Sequence, residues 1–174
     1  MACTLVQGRA IDCRDAVGGV AEVYIAEFTN VNSVTDSSGT VTAISMASGS
    51  KYWIYRLEKE NASLTEREIG SVENGTLFYE QELTFTLKKM SASLRNEIKN
   101  LAQNRLSIIV KDNNGVYWLM GQVNAVDKVG TNEAVTGQAF GDLQGYTLSF
   151  MGKEGEPMNV VDSSLFPGLT TAAA

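Results

Sequence analysis

Residues 77–126 read LFYEQELTFTLKKMSASLRNEIKNLAQNRLSIIVKDNNGVYWLMGQVNAV, and two changes of hydrophobic period within them decide the fold. Leu77, Tyr79, Leu83, Phe85 and Leu87 alternate with Phe78, Glu80, Glu82, Thr84 and Thr86, the period of two that marks a half-buried antiparallel strand. From Met90 the apolar positions become Leu94, Ile98, Leu101 and Ala102, which fall on one stripe of a helix. Ser91 or Ser93 offers an N-cap oxygen, and Asn100 or Asn104 offers a stop. A helix of about three turns cannot hold itself in water, so it must lie on a sheet. Leu106, Ile108, Ile109 and Val110 then form a β-branched run. Asp112-Asn113-Asn114-Gly115 supplies residues that tolerate positive φ, and 116–126 carries the return strand.

Working outward, residues 20–28 read as a first core strand, with Val23 and Ile25 opposed to Glu22, Tyr24 and Ala26. Residues 29–51 are rich in Ser, Thr, Gly and Asn, with one strand at 41–46. So long a polar stretch in a compact domain predicts a projecting hairpin or partner-facing arm, with a mobile surface loop as the plain alternative. Tyr52, Trp53, Ile54, Tyr55 and Leu57 form an aromatic strand, and pairing 52–60 with 63–72 across Glu60-Asn61-Ala62 makes a hairpin. Residues 127–142 repeat the polar, Gly-bearing character of the first arm. Residues 144–151 alternate again, as a final strand at a sheet centre or barrel seam. Residues 159–174 read as a tail whose Val160-Val161 and Leu165-Phe166 dock on a neighbour. The pattern gives about eight strands and one helix. The fold class is mainly β, an antiparallel β-sandwich or small barrel with one flanking α-helix and long projecting loops. Residues 1–158 form one domain, with arms at 29–51 and 127–142.

Composition narrows the function. The formal net charge is −6, and no basic cluster exceeds Lys88-Lys89, so no face neutralises phosphates. The chain has no His, which removes Ser-His-Asp triads, Cys-His pairs and His-containing metal sites. Asp112-Asn113-Asn114-Gly115 lacks the later Glu of a calcium loop. Residues 1–10 hold no apolar run of signal-peptide length, so Cys3 and Cys13 read as buried, reduced thiols, with closure of a small loop as the alternative. On the same ground Asn61-Ala62-Ser63 and Asn74-Gly75-Thr76 read as turns and not glycosylation sites. No stretch reaches the roughly 20 apolar residues of a membrane helix. No catalytic, cofactor-binding or metal-binding residue is singled out, and no cofactor is expected.

Several stretches carry a resemblance. In order they are GTLFYEQELTFTLKKMSA (75–92), SLRNEIKNLAQNRL (93–106), SIIVKDNNGVYWLMGQ (107–122) and TGQAFGDLQGYTLSFMGKEGEPM (136–158), with the opening MACTLVQGRAIDCRDAVGGVAEVYI (1–25). They resemble the tail tube (major tail) proteins of long-tailed bacteriophages, and are similar above all to virion proteins of phages with Bacteroidetes hosts. The resemblance covers roughly residues 1–158. It implies a self-assembling virion protein: six-fold rings stacked into a hollow tube that conducts DNA without gripping it, assembled in the host bacterial cytoplasm. The implied partners are other copies of the chain and further tail proteins (tape measure, terminator and baseplate), with no membrane. Tail terminators and baseplate hub rings share this fold and remain alternatives. On this reading 29–51 and 127–142 make contacts between rings, and 159–174 clasps a neighbouring subunit.

Two other classes compete. Tyr52, Trp53, Tyr55, Tyr117 and Trp118 are candidate platforms for a carbohydrate on a β-sandwich, although alternate aromatics in such runs fill cores. Glu58, Glu60, Glu66, Glu68, Glu80 and Glu82 recur at spacings of two, as a glycosidase pair requires, although solvated strand faces share that spacing. Met120, Met151 and Met158 read as adaptable packing. Lys88-Lys89 reads as a solvated strand end.

Overall fold

The computed structural model describes residues 8–130 and 132–170 of the 174. In chain order the elements are β1 (Val20–Glu27), β2 (Val31–Ser37), β3 (Thr40–Met46), β4 (Trp53–Arg56), β5 (Ala62–Ser71), β6 (Thr76–Lys88), α1 (Ala92–Gln103), β7 (Leu106–Asp112), β8 (Tyr117–Met120), β9 (Val126–Lys128), β10 (Glu133–Val135), β11 (Gly145–Glu154), β12 (Asn159–Val161) and α2 (Phe166–Leu169). The chain is mainly β, as its alternation demands. The strands beyond the expected number are mostly short ones inside segments read as loops or tail.

The strands make one hydrogen-bonded sheet that doubles back into two layers. The first runs β4-β1-β7-β8-β12-β3-β2, and the second runs β5-β6-β11, with β9 and β10 on the far side of β11. β9 joins the layers through a single bridge from Val126 to Leu106. All pairs are antiparallel except β12 with β3. Between the layers lies the main core: Val23 and Ile25 of β1, Leu83 and Phe85 of β6, Ile108 and Val110 of β7, and Leu148 and Phe150 of β11. Phe85 and Phe150 stack at 5.5 Å. Ser91 caps α1 by accepting from the Leu94 N–H at 3.2 Å, and Asn104 ends it. Its Leu94, Ile98 and Leu101 pack on this core. The helix and its caps lie where the residue pattern puts them.

The reading of the elements needs four corrections. β1 has no solvent face: Tyr24 and Ala26 enter a second core on the outer side of the first layer, with Ile109, Leu119, Val41 and Val161. The hairpin of 52–60 with 63–72 does not form. β4 pairs with β1, and β5 pairs with β6 across the Asn74-Gly75 turn. Glu60 takes a φ of +63° in the link, which carries the chain from one layer to the other. The return strand after the Asp112-Gly115 turn stops at Met120, because Gly121 (φ +70°) and Ala125 (φ +64°) turn the chain away.

The fourth correction concerns 159–174. β12 inserts between β3 and β8, and Val161, Phe166 and Leu169 are buried in the second core of their own chain. Phe166 stacks on Tyr117 at 4.0 Å, and the Tyr52 N–H donates to the Leu169 carbonyl. The described part of the tail, up to residue 170, is therefore an internal element. The apolar patch reads the same from sequence whether its cover is a neighbour or its own sheet.

Candidate assembly surfaces

Antiparallel pairing leaves one side of an edge strand with unused N–H and C=O groups, which can template pairing with another chain. Among the described residues β2, β4, β5 and β10 each have a single neighbour. The longest is β5. The Thr86 N–H donates to the Asn61 carbonyl, so odd-numbered residues from Ser63 to Ser71 exchange hydrogen bonds with β6. Leu64, Glu66, Glu68 and Gly70 then aim their N–H and C=O groups off the edge. At the tip of the same hairpin Val72 is fully exposed, Leu77 is 53% exposed and Ile69 37%. Leu77 lies over Gly70, its Cδ1 in ordinary contact range, 3.4 Å, of where a Cβ would stand.

The outer face of β5, β6 and β11 is hydroxyl-rich and charge-balanced. Thr84 and Ser149 share a hydrogen bond at 3.1 Å. Arg67 contacts Glu82 at 2.7 Å and Glu80 at 3.7 Å, and Lys153 lies 3.5 Å from Glu80. The candidate carboxylates are thus dispersed. Glu80 and Glu82 are tied to Arg67, while Glu66, on the opposite face of β5, accepts from the Met158 N–H at 2.7 Å. Glu58 and Glu60 lie beyond the end of β4, with Glu58 paired to Lys88.

The two arms are more ordered than their composition suggests. Residues 29–51 contain the β2–β3 hairpin, whose Val31, Val34, Ile44 and Met46 rest on the second core. Within 127–142, β9 and β10 both run along β11. Asp142 accepts from the N–H groups of Ala139 and Gln138, which holds its carboxyl below the usual carboxylate range. Phe140 nonetheless stands fully in solvent.

Residues 8–19 precede β1 and are exposed throughout, including Ile11, Val17 and Cys13. Cys13 is not the buried thiol expected, and Cys3 lies outside the described residues. The base of this segment is clamped by the β7–β8 turn. The Val17 N–H donates to Asn114 Oδ1 and Asn114 Nδ2 to the Val17 carbonyl, both at 2.8 Å, while Asn113 Nδ2 donates to the Gly18 carbonyl at 2.7 Å. The Asp112 carboxylate closes the turn by accepting from Asn114, Val116 and the Trp118 indole. Its oxygens are therefore occupied by the turn itself. Among the described residues no three His, Cys, Asp or Glu groups cluster as metal ligands.

A groove of about 820 Å³ separates α1 from β4 and the end of β1. Ile54 and Tyr55, on opposite faces of β4, both line it, so it follows that strand's free edge. Trp53 is 57% exposed there, whereas Tyr52 is buried and Tyr117 and Trp118 are half-buried, so the aromatics form no common platform. The Tyr55 hydroxyl donates to Glu97 of α1 at 2.8 Å; burial first, then this bond, raises its pKa. Beside the groove, Glu22 accepts from Tyr24 at 2.7 Å and lies near Lys111 and Arg56. The Tyr24 bond, helped by both cations, outweighs burial and lowers the Glu22 pKa. Among the described residues no helix is long and apolar enough to cross a membrane. No family model, curated protein or solved structure matches the chain.

Proposed function

We propose that this chain is a structural subunit that joins copies of itself, edge to edge, into rings that stack as a tube in a phage tail, with DNA passing through the bore. The observation that carries the reading is the ten-residue strand β5, which has one neighbour and ends in a hairpin tip with exposed Val72, Leu77 and Ile69. Pairing such an edge with a neighbour's in a closed ring leaves no edge open. Charged side chains at Glu66, Arg67 and Glu68 disfavour indiscriminate stacking, so the edge selects a partner with complementary charges. The balanced outer face of β5, β6 and β11, and the net charge of −6, suit a wall along which a polyanion slides. The six-fold number comes from the resemblance alone. A terminator or hub ring of the same fold would form rings without stacking.

Sedimentation and negative-stain microscopy of the purified chain at milligram concentrations test this. Rings or tubes are expected, and a monomer at all concentrations overturns the proposal. Glu68→Pro removes an outward N–H without touching the β6 ladder, so this variant should keep the parent's circular dichroism and fail to form rings. Rings formed as readily by Glu68→Pro would refute edge pairing through β5.

A further inference from the structure

Among the described residues the segment before β1 is fully exposed and the groove beside β4 stands open, and the two fit one another. The Leu57 N–H donates to the Ala21 carbonyl, so Val23–Tyr55 and Ile25–Trp53 are the hydrogen-bonded pairs. Ile54 and Arg56 therefore aim their N–H and C=O groups away from β1, along the groove. The groove is lined by apolar Trp53, Leu94 and Leu101 and by charged Glu27, Glu97 and Arg56. Residues 8–17, GRAIDCRDAV, offer Ile11 as the large apolar side chain beyond the clamped Val17, flanked by Arg9 and Arg14 and by Asp12 and Asp15. Ile11 suits the apolar lining, and Arg14 and Asp15 bring charges opposite to Glu97 and Glu27 and to Arg56, while Arg9 and Asp12 pair with each other at 2.6 Å.

We infer that residues 8–16 of one copy add as a strand to the free edge of β4 in a second copy, with Ile11 seated between β4 and α1. The partner is a second copy because of where the segment leaves. β4 and β7 flank β1 on opposite sides, and the Asn113 and Asn114 clamp fixes residues 17 and 18 to the β7–β8 turn. The segment thus sets off from the flank opposite its own groove. A contact between two different surfaces is head-to-tail, and it extends from copy to copy without limit unless a rotation closes it. This link uses neither β5 nor its hairpin. Its role in joining rings rests on the proposed function, but the binding itself does not.

The test titrates a synthetic peptide of residues 8–17 into dilute full-length protein that carries Ile11→Asp, to disable its own segment, and Trp118→Phe, to leave Trp53 as the reporter. A saturable blue shift of Trp53 emission is expected, and a peptide carrying Ile11→Asp should bind at least about tenfold more weakly. The discriminating change sits in the peptide, so an unfolded variant cannot imitate the loss. No shift, or equal affinity of the two peptides, overturns the inference. In a Cys3→Ser background, native Cys13 and an Asn100→Cys in the groove should oxidise to disulfide-linked dimers and longer chains. A product linked only within one chain overturns the choice of a second copy. Both readouts stand even if no ring forms, so failure here and failure of the ring proposal are separable.

Discussion

Gly145, at the start of β11, is a position where the fold leaves no room for a side chain: a Cβ there would lie 2.3 Å from the Leu87 carbonyl oxygen across the strand pair. Gly145→Ala must push β6 and β11 apart, and should cost about 1–3 kcal/mol, as overpacking of a dense interior does. Urea unfolding of the variant beside the parent measures it. The ionic group around Glu22 gives a pH signature. Its folded carboxyl titrates below the ordinary glutamate value near 4.5, so the unfolded chain takes up the proton first as acid is added. The stability it contributes is full above that value and is lost as pH falls through the lowered one. Melting temperatures of the parent and Glu22→Gln should therefore differ at neutral pH and converge in acid. Residue patterning marked neither this group nor the buried Glu154, whose carboxylate accepts from the Val123 and Asn124 N–H groups at 2.9 and 2.8 Å. Apart from Tyr24, two residues from Glu22, their partners are remote in sequence or are main-chain groups that no side-chain pattern advertises.

At the scale of elements, what depends on local chemistry was legible and what depends on choice of neighbour was not. The cap at Ser91, the apolar stripe through Leu101 and the Asn-Gly turn beyond β7 announce themselves within a few residues. Ser91→Ala should accordingly cost about 0.5–2 kcal/mol, and Leu101→Ala about 2–5 kcal/mol, by the same urea titration. A larger loss at the cap than at the core would mean that α1 is held by its ends and not by the sheet. The aromatic strand at 53–56 was legible as a strand, but its partner was not. A run with apolar groups on both faces fits beside β1 as well as beside β5, and the link at 57–61 is short enough to be read as a turn. The open edge of β5 and the groove beside β4 are consequences of that choice. The candidate surfaces were for this reason legible only as arms and aromatics, without the edges that connect them.

The whole molecule is two cores sharing one layer of sheet, and the second core depends on its latest segment. Removing everything after Met158 strips β12 from between β3 and β8, takes away Phe166 and Leu169, and leaves Tyr24, Val41, Ile109 and Leu119 uncovered. Such a truncated chain should lose its cooperative melting transition and aggregate. A truncated chain that melts like the parent and fails only to assemble would instead make the tail a clasp for neighbours. The parallel pairing of β12 with β3 also sets a clock. The hairpin of β2 and β3 leaves the ribosome early, yet its inner flank has nothing to bind until the chain has grown by more than a hundred further residues. Contacts between such distant parts form slowly. A nascent chain thus carries an unfinished sheet through most of its synthesis, and the second core closes only once translation has passed Leu169.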